Sequence, residues 1–370
     1  MKRLCVIAIL LVFVFGFKVN AESTDDFYKQ QYELSGIDKA HENLPQETQE
    51  FLEENGLTPQ NPDFVNSLTA ENVFSHIWGF VKSGAKAPMV SGAGMLAVIL
   101  ISAAVMSGGS GTASQTSKYA TVISAVAVIA APVFSVISAG ISAMQGSSVF
   151  MTSFIPIFAV VVAASGGAVT SVSMSALLLT ASQAVSFIAN FLVLPLMGGY
   201  LALSLSAAVS PVISKTGIAD GIKKLAMWVM SLTSTIFIGV LSIQTAVNGA
   251  ADTLTLRTAK FIIGSSVPVA GTALSEALTT VTASMGILKA GIGVYGVIAC
   301  FIIFLPLLAE LLMWRVMLSI TAAISDLFSL GEISAVLRSV DNVMSVLTGI
   351  LLLIGAVFII SLTVVVGAAK

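Results

Sequence analysis

The sequence predicts an all-α, polytopic transmembrane helical bundle of about seven to ten membrane segments, preceded by a short helical exported segment. Three observations carry this. From Tyr119 to Ser214 the chain runs for 96 residues without one Asp, Glu, Lys, Arg or His. A surface facing water needs charge, and a hydrocarbon core of ~30 Å takes about 20 apolar residues per helix, so the run holds several spans. Mean hydropathy is +0.98 with only 10% of residues charged, and Gly, Ala and Ser are abundant, as close helix packing in lipid requires. The apolar runs lack strand alternation, and backbone in lipid closes its own hydrogen bonds most simply as helix.

Residues 1–21 read as a secretory signal peptide. Lys2-Arg3 is the positive start, Leu4 to Phe17 the apolar stretch and Val19-Asn20-Ala21 the small-residue cleavage site. An uncleaved anchor helix is the competing reading, weakened because the apolar stretch is short for a span. After cleavage Cys300 is the only thiol left, which excludes an intrachain disulfide and makes it a small buried hydrophobe.

Residues 22–88 form the exported segment; residues 22–81 hold twelve acids against two bases, Lys29 and Lys39. Such charge is a solvated face or a docking surface for a basic partner. One helical piece is expected from about Thr24 towards Asp38. A second runs from Pro45 to Asn55, with Pro in its first turn and Gly56 as the stop. The third, Thr69 to Ser83, aligns Val73, Phe74, Ile77, Trp78 and Val81 as one apolar stripe. That stripe is either a partner or lipid-interface contact, with Lys82 and Lys86 reaching phosphates, or ordinary packing against the first two pieces.

The multispanning domain occupies 89–370. Its apolar segments fall near 89–106, 119–143, 150–172, 176–197, 198–213, 225–248, 261–283, 290–313, 316–330 and 342–367. Lys118, then Lys215, Lys223 and Lys224, then Arg338 mark cytoplasmic turns by the positive-inside rule, which puts the Arg257–Lys260 loop outside. Ser153-Phe154-Ile155-Pro156-Ile157 resembles Ser265-Ser266-Val267-Pro268-Val269, and Phe191 to Leu196 resembles Ile302 to Leu307. Two related units, 119–224 and 225–340, explain the pairs; shared apolar composition is the competing explanation. Pro156 and Pro268 are expected to break helices, each followed by small residues (Ser165-Gly166-Gly167; Gly271-Thr272). Glu276 just beyond the second break supplies an acidic group at membrane depth, with Lys289, Arg257 or Lys260 as partner. Glu310 and Arg315 read as a helix-end pair and Trp314 as an interface anchor.

Catalytic signatures are missing. There is no P-loop, no His-Glu-x-x-His and no Gly-x-Ser-x-Gly. Gly291-Ile292-Gly293-Val294-Tyr295-Gly296 matches a dinucleotide pattern but lies in an apolar span, where helix packing explains it. His41 and His76 alone do not make a zinc site. The expectation is a non-enzyme without metal or cofactor and without a nucleic-acid partner. Lacking an ATPase of its own, it takes any energy from a partner or a gradient.

The run Arg257-Thr258-Ala259-Lys260-Phe261, followed by Ser266-Val267-Pro268-Val269-Ala270-Gly271-Thr272-Ala273-Leu274-Ser275-Glu276-Ala277-Leu278, resembles the most recognisable stretch of the stage III sporulation protein AE family. The pattern there is K-F…I-P-x-V-G…L-S-[DE]-A, with Ala270 here in place of the more usual Val. Glu33-Leu34-Ser35-Gly36, Leu44-Pro45 and Phe154-Ile155-Pro156 also look like that family, so the resemblance covers nearly the whole chain. It implies an endospore former, the mother-cell membrane around the forespore and a transenvelope channel complex. It also implies partners: ring-forming proteins between the two membranes, a forespore-derived component and a cytosolic secretion-type ATPase.

The leading expectation is therefore a membrane platform or conduit component of that complex. A self-sufficient permease for a small solute and a purely structural anchor for ring-forming partners are the alternatives.

Overall fold

The computed structural model describes residues 32–58, 70–107, 112–188, 191, 195–200, 202, 217–266 and 271–367. The expected signal peptide, the start of the first expected exported piece and Pro268 lie outside these residues. Among them every regular element is a helix: α1 (Ile37–Glu42), α2 (Gln46–Glu54), α3 (Ala70–Ser107), α4 (Thr112–Ala164), α5 (Ala168–Phe187), α6 (Gly217–Ser266), α7 (Gly271–Leu327) and α8 (Gly331–Gly367). The six from α3 to α8 are each long and apolar enough to cross a membrane.

The second exported piece forms as its sequence dictates. Pro45 is the N-cap of α2. Gly56, at φ +65°, closes the helix with Gly56 N–H to Glu53 O and Leu57 N–H to Leu52 O, a Schellman motif that requires a left-handed residue. The third piece starts as expected at Ala70 but does not stop at Ser83. It continues through Pro88 to Ser107, so the boundary drawn at 88/89 falls inside one helix.

Fusion of neighbouring segments is the main departure from the sequence reading. Segments 119–143 and the first half of 150–172 are one helix, α4. Segments 290–313 and most of 316–330 join the residues from Gly271 onward in α7, whose 57 residues extend about 85 Å, far more than one hydrocarbon thickness. The residues separating the expected spans are polar or small but not helix-breaking. Gly146, between the expected spans 119–143 and 150–172, lies inside α4 and seats Pro45: a Cβ there would lie 2.7 Å from the Pro45 ring.

Pro156 also departs from expectation. It lies inside α4, which continues to Ala164; a proline within a membrane helix is tolerated where local adjustment and neighbouring helices absorb the lost hydrogen bond. The break comes at Gly166, at φ +95°, with Gly166 N–H to Ala163 O and Gly167 N–H to Val162 O. Ser153–Ile157 is therefore helix interior, whereas of Ser265–Val269 only Ser265 and Ser266, on α6, are among the described residues.

At the centre stands α7, packed on α8, α3, α4, α6 and α2. Its glycines form the seats. A Cβ at Gly296 would lie 2.5 Å from the Phe154 ring, and one at Gly293 would collide with Val366 and Phe158. Phe150, Phe154 and Phe158 line one face of α4 with successive ring centroids 5.3 Å apart and are buried. The glycine pattern at 291–296 is thus a helix-packing surface, and Cys300 is buried with its Sγ 3.7 Å from Met151 Sδ. Trp314 is buried as well, its Nε1–H donating to Glu310 Oε1 at 3.3 Å. It is no interface anchor. Arg315 pairs with Asp341 of α8 at 3.2 Å, not with Glu310, because both lie mid-helix facing different neighbours.

Gly84 faces Glu310 and Gly92 faces Met317, so α3 and α7 run parallel and their C-terminal ends share one end of the bundle. The adjoining turns carry Lys118, early in α4, and Arg338, early in α8 and paired with Asp326 at 2.6 Å.

The acidic helices α1 and α2 dock on this bundle near the midpoint of α7. His41 Nδ1 and the buried Tyr295 hydroxyl are 2.6 Å apart, and His41 Nε2 lies 3.2 Å from Glu53 Oε1. Phe51 of α2 packs on His76 and Phe80 of α3, with centroids 5.2 Å and 4.9 Å apart. The packing face of α3 is therefore His76/Phe80. Of the expected stripe, Ile77 and Val81 are half-buried, while Phe74 and Trp78 stay 68% and 61% exposed.

Candidate functional site

The α4–α5 turn meets α6 and α7 in a buried polar cluster. Gly166 turns the chain back, and the following helix α5 starts with no cap from its own side chains. A helix leaves its first N–H groups unsatisfied. Here a carboxylate from another helix fills the gap: Asp252 Oδ1 accepts from Val169 N–H at 2.7 Å and Oδ2 from Thr170 N–H at 3.2 Å. A side chain at Gly167 would press on Val162, with a Cβ 3.1 Å from its Cγ1, and would only touch Asp252 Oδ2, at 3.5 Å. The positive end of α5 thus stabilises a carboxylate buried between apolar helices.

Further polar side chains of α5, α6 and α7 belong to the same region. Lys289 of α7 is only 1% exposed and interacts electrostatically with Asp252, yet its Nζ has no hydrogen-bond partner. Asn248, one turn before Asp252 on the same face of α6, is buried with Nδ2 unpartnered. Thr170 Oγ1 is likewise buried and unpartnered. Gln244 precedes Asn248 by another turn, its Oε1 also buried without a partner. Residues 244, 248 and 252 therefore make a polar stripe along an otherwise apolar helix. Buried polar groups are hydrogen-bonded as a rule, so this concentration sets the region apart.

A second hydroxyl cluster ties the α4–α5 hairpin together. The Ser148 and Ser182 side chains each donate to the other's carbonyl, at 2.8 and 2.9 Å, and Ser171 Oγ donates to Ala159 O at 2.7 Å. These bonds fix the turn that presents the α5 N-terminus to Asp252.

The residues singled out in the sequence lie elsewhere. Glu276 is exposed on α7, thirteen residues and about 20 Å along the helix from Lys289. Among the described residues no ion pair joins it to Arg257, Lys260 or Lys289, so it does not supply a buried charge. No loop separates Arg257 and Lys260 from the preceding span; both are on α6, Arg257 exposed and Lys260 half-buried. A Cβ at Gly166 would lie within 4 Å of Leu256 and Thr282, and beyond these two residues Phe261 and Ile262 of α6 and Leu274 of α7 are exposed. Lys260 lies on that part of α6 and Glu276 on that part of α7.

Of the expected partners only Lys289 is in the cluster, facing Asp252. Asp252 lies just beyond the apolar segment 225–248 and so escapes that reading; the four-residue spacing of Gln244, Asn248 and Asp252 is the signal that marks it. Among the described residues no group of His, Cys, Asp and Glu is arranged to hold a metal ion.

No solved structure matches this chain. The stage III sporulation protein AE of Bacillus subtilis (strain 168) is 28% identical over 228 residues, which are 62% of this chain and 57% of the relative. The chain thus aligns with just over half of that relative's length. The family model for stage III sporulation protein AE matches residues 68–369, from the start of α3 to the end of α8 and through the whole Asp252 cluster, and this chain belongs to that family.

Proposed function

We propose that this chain is a platform and conduit component of a transenvelope channel between mother cell and forespore, seated in the mother-cell membrane and needed for late forespore development. The observation that carries the conduit part is the Asp252–Lys289 cluster. An acid and a base buried among membrane helices are costly and mark functional positions, and a purely structural anchor has no need of them. The platform part rests on α1 and α2, which pack against the flank of α7 through His41 and Tyr295 and leave the Phe74–Trp78 face of α3 open. In this reading residues 1–21 direct export, the acidic helices face the space between the membranes, and ring-forming proteins dock there. A cytosolic secretion-type ATPase supplies energy, and the chain itself performs no catalysis.

Replacing Asp252 by Asn and Lys289 by Met in sporulating cells tests this. The expected result is normal membrane accumulation and co-purification of channel partners with loss of a late forespore reporter. Normal reporter expression in both variants would reject the conduit and leave the anchor. Recovery of function by an exogenous small solute would favour a permease instead.

A further inference from the structure

We infer that the Asp252 cluster is a binding site for a small monovalent anion, held between α5, α6 and α7. This deepens the conduit reading, on which it rests, by naming what the cluster takes. Asp252 is already committed to the α5 N-terminus through Val169 and Thr170. Lys289 is near enough to feel its charge, but among the described residues no ion pair within contact distance joins the two. One carboxylate and one ammonium cancel, and the α5 N-terminus adds further positive potential.

What remains unpartnered around this carboxylate is mostly donors: Lys289 Nζ, Asn248 Nδ2 and Thr170 Oγ1. They come from three different helices, and each side chain is more than nine-tenths buried. A guest must therefore bring acceptors, and the positive end of α5 favours one that also brings negative charge. Water supplies acceptors but no charge, and a cation meets Lys289. Gln244 Oε1, the one unpartnered acceptor on this stripe, is two turns from Asp252, about 12 Å along the helix, too far to serve the same guest. The guest must be small, because even a Cβ added at Gly166 would touch Leu256 and one at Gly167 would press on Val162. Chloride and formate fit that description.

The test uses the full chain in nanodiscs, with equilibrium binding of radiolabelled formate and competition by chloride. Saturable formate binding is expected, displaced by chloride but not by the bulky gluconate anion. Binding should weaken by about ten- to a hundred-fold in Lys289→Met, as the loss of a charged hydrogen-bond partner implies. Asn248→Leu and Thr170→Val keep the charges, so they serve if Lys289→Met does not fold, and each should weaken binding about three- to ten-fold. Absence of saturable binding to folded wild-type protein overturns the inference, as does full affinity in folded variants. Neither outcome touches the reporter experiment above, so the conduit reading and the anion site fail separately.

Discussion

Asp252 on α6 caps the start of α5, its Oδ1 2.7 Å from the Val169 amide nitrogen. One carboxylate thereby fixes the entry of a neighbouring membrane helix and sets the charge environment of Lys289. Much of the site's behaviour follows from this dual role.

Replacing Asp252 by Ala removes the cap and leaves Lys289 buried without compensation. Loss of a cap costs about 1 kcal/mol and an orphaned buried charge about 3–5 kcal/mol. Thermal unfolding in nanodiscs should show a large drop for Asp252→Ala and a smaller one for the double variant with Lys289→Met. A coupling of about 1–3 kcal/mol is expected from the cycle; additive effects would mean the two groups do not communicate.

Glu276→Gln should behave oppositely. Glu276 is exposed and in no ion pair among the described residues, so its stability change should stay within about 0.5 kcal/mol. The same thermal assay checks this, and a large loss would place Glu276 in a contact that forms only in an assembly.

Gly296→Ala tests the seat of the Phe154 ring. A Cβ only 2.5 Å from that ring forces α4 and α7 apart, a strain of about 1–3 kcal/mol. Trimming Phe154 to Leu in the Gly296→Ala background should restore part of the loss. If Gly296→Ala alone melts like wild type, the helices are not packed so closely there.

Tyr295→Phe removes the hydroxyl that meets His41 Nδ1 at 2.6 Å. Undocking of α1 and α2 should become easier by about 1 kcal/mol, roughly five-fold in the opening equilibrium. Hydrogen exchange across residues 37–54 should rise by that factor while exchange in α7 and α8 stays unchanged. Uniform acceleration would instead mark Tyr295 as a core residue of the whole bundle.

Part of this architecture is plain in the residues themselves. Uncharged apolar runs admit no soluble fold, Pro45 and Gly56 delimit α2, and the glycines at 291–296 within an apolar helix specify packing. The family stretch around Lys260 and Glu276 is equally legible. The exposure of Glu276, Phe261 and Leu274 is not.

Composition alone determined that this is an all-helical membrane protein with an acidic start, because hydropathy and helix stops are local properties of the chain. Only the tertiary structure decided how far each helix runs and which charges meet. Pro156 reads locally as an interruption, yet α4 runs through it to Ala164. Asp252 and Lys289 lie 37 residues apart on separate helices, and their encounter depends on the turn at Gly166 and the fold of the α6–α7 hairpin. Pairing across such a distance is a property of how helices pack, and no local pattern in either segment encodes it.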